Sequence, residues 1–337
     1  MKILVTQLAR FGDILQTAPT IRALRRTYPA AEVHVLVRST FRDAATALGD
    51  ATAIWQFNAE AVLGPLLAFP VKLEESTQYV AQLVKDLKSY GFERIINLSF
   101  SPMSSFLCSI LDPESQFTSG YTRHSDGFLN IPDDASAYFY AQVGLGRDNR
   151  VHICDMFAQV AGLNLEPADF AADVPAKNKF DLPDKTILIH VGASQKNKTF
   201  QSEQWIEVVS GILKSSDLNV ALIGSKNETH IAEKIEMSTR GPRLINLVGH
   251  TGFSDLFALV KHSQLIIAAD SALMNVANLV GTPCLNLSSA AVNYWETGPR
   301  SRGSRILYAK LMAEISPTDV VLECMNMIHG EKAFGCE

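Results

Sequence analysis

Four short stretches of the sequence place an ionisable or hydroxyl side chain among glycines or other small residues, where it could move a proton or hold a phosphate. The first is Arg10-Phe11-Gly12-Asp13. Its glycine permits a tight turn, and Asp13 projects from the start of a helix as a carboxylate able to accept a proton. Arg10 and Gly12 belong to the vicinity of any phosphate or acceptor bound there. From position alone the stronger reading of Asp13 is a helix cap, since Gln16 three residues on completes a capping box. The two roles are compatible. The second stretch carries Gly192, Ala193, Ser194, Lys196, Lys198 and Thr199. Small residues there admit a phosphate to the backbone, and a lysine supplies a point charge. It lacks P-loop spacing, and a loop lysine is ordinarily a solvated charge. The third, Asp270-Ser271-Ala272, offers a hydroxyl and backbone amides at a helix start, with capping as the plainer role. In the fourth, Gly224 to Glu228, Glu228 could accept hydrogen bonds from ribose hydroxyls or simply favour the first turn of a helix.

Each stretch follows an apolar run and precedes a helical pattern. Ile3 to Leu8 reads as a strand, and Ile14, Leu15, Ala18, Ile21 and Leu24 recur at helical spacing. Val33 to Val37, a helix over Glu74 to Tyr90, and Arg94 to Leu98 continue the alternation of parallel βαβ units. Strand-like runs return at Thr186 to His190, Val220 to Ile223, Leu244 to Leu247, Leu265 to Ala268, Cys284 to Leu287 and Arg305 to Tyr308. Open α/β sheets bind ligands beyond the carboxyl ends of their strands, where these four turns fall. Pro167, Pro175 and Pro183 punctuate an aperiodic segment between Asn164 and Lys185 that reads as a linker. The expected domains are 1–170 and 171–315. A terminal helix over 316–330 could cross back onto the first.

A length of 337 residues exceeds what one core usually fills, so two domains are expected. With 47% hydrophobic and 19% charged residues the chain is globular, and a net charge of -5 excludes bulk nucleic-acid binding. The five cysteines form no Cys-x-x-Cys pair, and His152 with Cys154 supplies only two potential ligands, so no metal is expected. Short apolar runs exclude a signal peptide or membrane span; the reading is cytoplasmic, with peripheral contact at the cytoplasmic face of the inner membrane left open. Arg22, Arg25 and Arg26 share a helix face that reads as solvated, with contact to anionic lipid or saccharide phosphates as the alternative. Ser99 to Ser105 suits a sugar or an ordinary loop.

Taken together, the ordered blocks resemble the family 9 glycosyltransferases, the group containing the lipopolysaccharide heptosyltransferases. Ile3 to Leu8, Arg10 to Pro19 and Ile21-Arg22-Ala23-Leu24-Arg25 are similar to the family's N-terminal signature. Lys198 with Trp205, Gly224 with Glu228, Leu247-Val248-Gly249, Leu256, Leu259 and Val260, Ala269-Asp270-Ser271 and Gly281-Thr282-Pro283 follow in the family's order. The resemblance implies an α/β fold of the GT-B type, two doubly wound Rossmann-like domains facing a central cleft, with the acceptor on the first and the donor on the second. It implies inverting, metal-independent transfer of a sugar, heptose foremost, from a nucleotide-diphosphate sugar such as ADP-heptose to a cell-surface glycan or glycolipid, with no cofactor. Asp13 would be the general base and Lys198 would balance charge on the leaving diphosphate. Glu228 would hold the ribose, while Gly192, Ser194, Asp270, Ser271 and Asn275 would complete the donor site. Where the family usually reads Gly-Pro-Met-His after the Asp-Ser or Asp-Thr pair, this chain reads Ala272-Leu273-Met274-Asn275. A catalytically weakened nucleotide-sugar-binding protein of the same fold is the alternative.

Overall fold

Ile3, Leu4 and Val5 have no exposed surface, because the strand they form is paired on both sides and covered on both faces. Such doubly covered parallel strands read as continuous apolar runs rather than alternating ones. The computed structural model describes residues 1–171, 179–193 and 198–330. The chain divides into two compact units, Met1–Asp169 and Phe170 onward.

In chain order the first unit contains β1 (Lys2–Gln7), α1 (Phe11–Thr27), β2 (Glu32–Arg38), a 3₁₀ stretch Ser39–Leu48, β3 (Ala53–Phe57), α2 (Ala59–Leu67), α3 (Leu73–Tyr90), β4 (Arg94–Asn97), α4 (Pro102–Leu111), β5 (Thr118–Gly120), β6 (Thr122–Arg123), β7 (Leu129–Asn130), α5 (Asp134–Gln142) and α6 (Ile153–Val160). Its parallel sheet has the order β3-β2-β1-β4-β5, and β6 and β7 form a small antiparallel hairpin. The second unit contains β8 (Thr186–His190), α7 (Ser202–Ser215), β9 (Asn219–Ile223), a 3₁₀ turn Lys226–Glu228, α8 (Thr229–Ser238), β10 (Leu244–Asn246), α9 (Phe253–His262), β11 (Leu265–Ala269), α10 (Ala272–Val280), β12 (Cys284–Ser289), α11 (Tyr294–Thr297), β13 (Arg305–Ala309) and α12 (Pro317–His329). Its six parallel strands run β10-β9-β8-β11-β12-β13. Order reverses beside β1 in one sheet and beside β8 in the other. The loops after these two strands therefore open at topological switch points.

Three expectations change. The terminal helix α12 buries Val320 and Cys324 in the core of the second unit and packs on α7, so it is part of that unit. The arginines of α1 are pinned within the first unit. Arg22 pairs with Asp50 at 2.8 Å and donates to the Asp169 carbonyl at 2.9 Å. Arg26 pairs with Asp169 at 2.8 Å and Glu166 at 2.9 Å, and Arg25 donates to the Ala31 carbonyl. These bonds fasten α1 to the segment after α6, which accounts for the basic face. Gly12 lies in the first helical turn of α1 and outside the left-handed region, so the turn does not depend on it. Pro175 lies outside the described residues. His152 caps α6, its Nδ1 accepting from the Cys154 N–H at 3.2 Å, and no group of three metal-ligating side chains occurs among the described residues. No described helix is long and apolar enough to cross a membrane.

Near the start of β2, His34 is buried among Trp55, Tyr90 and Phe92. Its Nδ1 accepts a hydrogen bond from Trp55 Nε1 at 2.9 Å, which requires an unprotonated Nδ1. Burial holds its pKa below the ordinary value of 6.5, against a weaker upward pull from Glu32. A histidine whose folded pKa is depressed stabilises the fold above its unfolded pKa, and that stabilisation is lost as pH falls. Acidification from about pH 7.5 to about pH 5 is therefore expected to lower the melting temperature more in the wild type than in His34→Asn, whose amide oxygen can still accept from Trp55. Parallel melting curves at all pH values would remove His34 from the account.

Candidate functional site

In the first unit the chemistry gathers at the carboxyl end of β1. Asp13 is the third residue of α1, and its Oδ2 accepts the Arg10 N–H at 2.9 Å. The helix therefore starts three residues earlier than a cap at Asp13 requires, with Arg10 at the N-cap position, and the Asp13–Gln16 capping box does not form. Asp13 instead reaches back to one of the amides that a helix start leaves unpaired. Burial raises its pKa above the ordinary 3.8, although the Arg10 amide and the charges of Arg10 and Arg38 pull it down. A carboxylate raised by desolvation is a better proton acceptor than one in water.

A buried polar network supports this turn. Ser99 Oγ accepts the Leu8 N–H and donates to the Thr6 carbonyl at 3.1 Å. Gln7 donates to Thr17 Oγ1 at 3.2 Å and accepts the Ala9 N–H at 3.2 Å. Asn97 donates to the Tyr121 carbonyl at 2.7 Å and accepts the Ser99 N–H at 3.1 Å. Ser101 and Ser104 cap α4 through their own hydroxyls, so the Ser99 to Ser105 stretch supports the fold and presents little free hydroxyl surface. Arg38, at the end of β2, clamps the same turn by donating to the Ala9 carbonyl at 2.9 Å.

In the second unit the end of β8 and residues that follow β9, β10 and β11 meet around a cavity of about 260 Å³. His190, Gly224, Ser225, Phe253, Leu256 and Leu273 line it. The Glu228 carboxylate folds back onto the Ser225 N–H and lies against both Gly192 and Gly224. A Cβ at Gly192 would overlap that carboxylate, so the absence of a side chain at 192 lets it lie there. Among the described residues His190 Nδ1 is buried without a hydrogen-bond partner, and burial pushes the imidazole pKa down while Glu228 pulls it up. Beside the cavity, Lys198 Nζ pairs with Asp270 Oδ2 at 2.8 Å, and Thr297 Oγ1 donates to Asp270 Oδ1 at 3.1 Å. The lysine is only 15% exposed, far from the solvated loop charge that its position suggests. Phe200 and Trp205, packed edge to face in the core, anchor the chain that follows it. Ser271 sits at the N-cap of α10 without capping it, its buried Oγ unpartnered among the described residues.

The structure thus brings Gly192, Lys198, Glu228, Asp270 and Ser271 to one edge of the second sheet. Ser194 and Lys196 lie outside the described residues. Asn275 is buried on α10 and does not line the cavity, whereas Ala272 does. Asp13, Arg10 and Gly12 belong to the first unit. Sequence reasoning passed over Arg38, His190 and Thr297. His190 carried a signal, as a polar residue ending an apolar strand directly before a glycine loop; Arg38 and Thr297 carried none.

The contact between Gly192 and Glu228 is testable. Gly192→Ala should displace the carboxylate and lower the melting temperature, while the same substitution in a Glu228→Ala background should cost markedly less. Additive losses, read by thermal melts of the four proteins, would show that the two positions are independent.

Comparison with known proteins bears on the fold and the family. Residues 80–313 match the family model described as glycosyltransferase family 9 (heptosyltransferase). The chain is 23% identical over 290 residues to lipopolysaccharide heptosyltransferase 3 of Escherichia coli, covering 83% of this chain and 81% of that protein. A family 9 glycosyltransferase from Veillonella parvula superposes with a TM-score of 0.75 at 16% identity, over 98% of this chain and 97% of the other. The E. coli heptosyltransferase WaaC with ADP gives 0.72 at 13% identity, over 97% and 100%. The fold is accordingly GT-B, two Rossmann-like domains. Since the family match spans more than half of the sequence, this chain belongs to glycosyltransferase family 9 and is a heptosyltransferase-like glycosyltransferase.

Proposed function

We propose that the protein transfers a heptose from ADP-heptose to a hydroxyl of a lipopolysaccharide-type glycolipid, with inversion and without a metal ion. The observation that carries the reading is the desolvated Asp13 carboxylate at the switch point of the first sheet. The heptose and the acceptor class are supported by the relatives' names, and the adenine nucleotide by the solved relative with ADP.

In this reading the acceptor hydroxyl attacks the anomeric carbon as the bond from that carbon to the diphosphate breaks on the opposite side. Asp13 takes the hydroxyl proton, and ADP leaves with the electron pair. Its raised affinity for a proton suits it to that step, and Arg38 and the Ser99 network hold the turn in place. On the donor side, a nucleobase fits the cavity beside His190, with the apolar Phe253, Leu256 and Leu273 against its faces. Glu228 accepts from the ribose. The diphosphate lies along the start of α10, where Ser271 Oγ and the first-turn amides face it. Lys198, held by Asp270, balances the growing negative charge. A fixed ammonium and helix amides make a divalent ion dispensable. Asn275 in place of histidine can donate a hydrogen bond but carries no charge.

Asp13→Asn should lower kcat by about 10²- to 10⁴-fold and leave ADP affinity within about twofold. Its amide oxygen can still accept from Arg10, and it removes a desolvated charge, so the variant should melt no lower than wild type at neutral pH. Unchanged turnover would exclude Asp13 as the base. The pH profile supplies a second check. Because the folded pKa is raised, Asp13 stays protonated and idle at pH values where an ordinary aspartate, at 3.8, is ionised. The acid limb of kcat/KM should therefore lie above that value and vanish in the residual activity of Asp13→Asn. Lys198→Met should lower kcat by about 10²- to 10³-fold, measured with saturating donor.

A further inference from the structure

α2 is unusual in this molecule: none of its nine residues is buried, although the segment Ala61 to Leu73 contains one charge in thirteen positions. Ala59 and Val62 rest against the core through one edge. The opposite side and the connection to α3 stand in solvent. Exposure rises from 46% at Leu63 to 84% at Leu67, reaches 101% at Phe69, and remains 62% at Val71 and 61% at Leu73. A fully exposed phenylalanine between two exposed aliphatic residues marks the tip of a projection.

We infer that this projection inserts into the acyl boundary of a lipid bilayer and docks the first unit on a membrane surface. Three observations favour lipid over protein. The projection is convex and most exposed at its centre, so it cannot cover itself against a second copy of the same tip, whereas a stable protein interface needs roughly 800 Å² of matched surface on each side. A bilayer accepts a convex apolar tip without shape complementarity, to a depth of about 5 to 10 Å. The charge fits as well. Lys72, the one cation in the segment, is paired with Glu75 at 3.0 Å, and Glu60 and Glu74 flank the segment, so the segment itself offers no basic cluster to anionic headgroups. Attachment is therefore by apolar insertion, and it should be nearly independent of anionic lipid and of salt. An anchor of this kind would keep the enzyme on the surface where a lipid-borne acceptor resides.

The test is sedimentation of the intact protein with vesicles of phosphatidylcholine alone, and with phosphatidylcholine containing phosphatidylglycerol, without donor or acceptor, so that its outcome stands apart from the transfer reaction. Wild type should bind both, with similar partitioning at low and high salt. Leu67→Ser/Phe69→Ser/Val71→Ser should weaken partitioning at least tenfold per inserted side chain while keeping the wild-type melting temperature. In Phe69→Trp, lipids brominated on the acyl chains should quench the fluorescence of the new indole beyond that of wild type. Binding to neither vesicle, binding only to the anionic one, no added quenching, or a wild-type dimer that the triple variant converts to monomers would each overturn the assignment.

Discussion

Both units depend on the parallel pairing of their sheets. In a parallel sheet every strand ends on the same edge, so each turn that leaves a strand opens beside its neighbours. Val5 opposite Val35 and Ile96 fixes β1 between β2 and β4, so the turn bearing Asp13 lies beside Arg38 and Ser99. Ile189 opposite Leu222 and Ile267 does the same for β8, which sets Gly192 beside Gly224 and places Asp270 across the cavity edge. A one-residue slip in either register would exchange side chains between the two covered faces, disrupt the packing on both, and scatter the turns. The continuous burial of Ile3 to Leu8 and Ile187 to Ile189 opposes such a slip.

On that framework the molecule repeatedly sets charge where water is scarce and supports it with fixed partners. Asp13 is desolvated and held by one backbone amide, and its turn is clamped by Arg38 and Ser99. Lys198 and Asp270 share a partly buried pair steadied by Thr297. Arg26 and Asp169 use the same chemistry for structure, with Asp169 3% exposed and also accepting the Glu166 N–H at 2.8 Å. What separates the proposed functional cases from the structural one is their place at the carboxyl edge of a sheet, since charge type and pairing are alike.

That distinction decides what could be read from the sequence. The core strands were legible because β1, β2, β8, β9, β11 and β12 are covered on both faces and read as plain apolar runs. β3 is half exposed along most of its length, and β5 is the three residues Thr-Ser-Gly, so neither leaves such a trace. The glycine turns and their ionisable residues were legible from their positions after strands. Their bonds were not. Asp13 looked like a cap because helix starts cannot be located to a residue from periodicity. Arg22 and Arg26 looked solvated because their partners, Asp50, Glu166 and Asp169, are distant in sequence. Arg38 and Thr297 act through contacts that only the fold creates.

The central claim is that the second unit holds the nucleotide of an activated sugar, at the edge where β8, β9 and β11 end. Its most direct test is calorimetric titration of the intact protein with ADP, GDP, UDP and CDP in turn. The account predicts one ADP site per chain, bound at least tenfold more tightly than the other three and lost when His190 and Phe253 are both replaced by alanine in a protein that still folds. Equal binding of all four nucleotides, or ADP binding that survives those replacements, would contradict it.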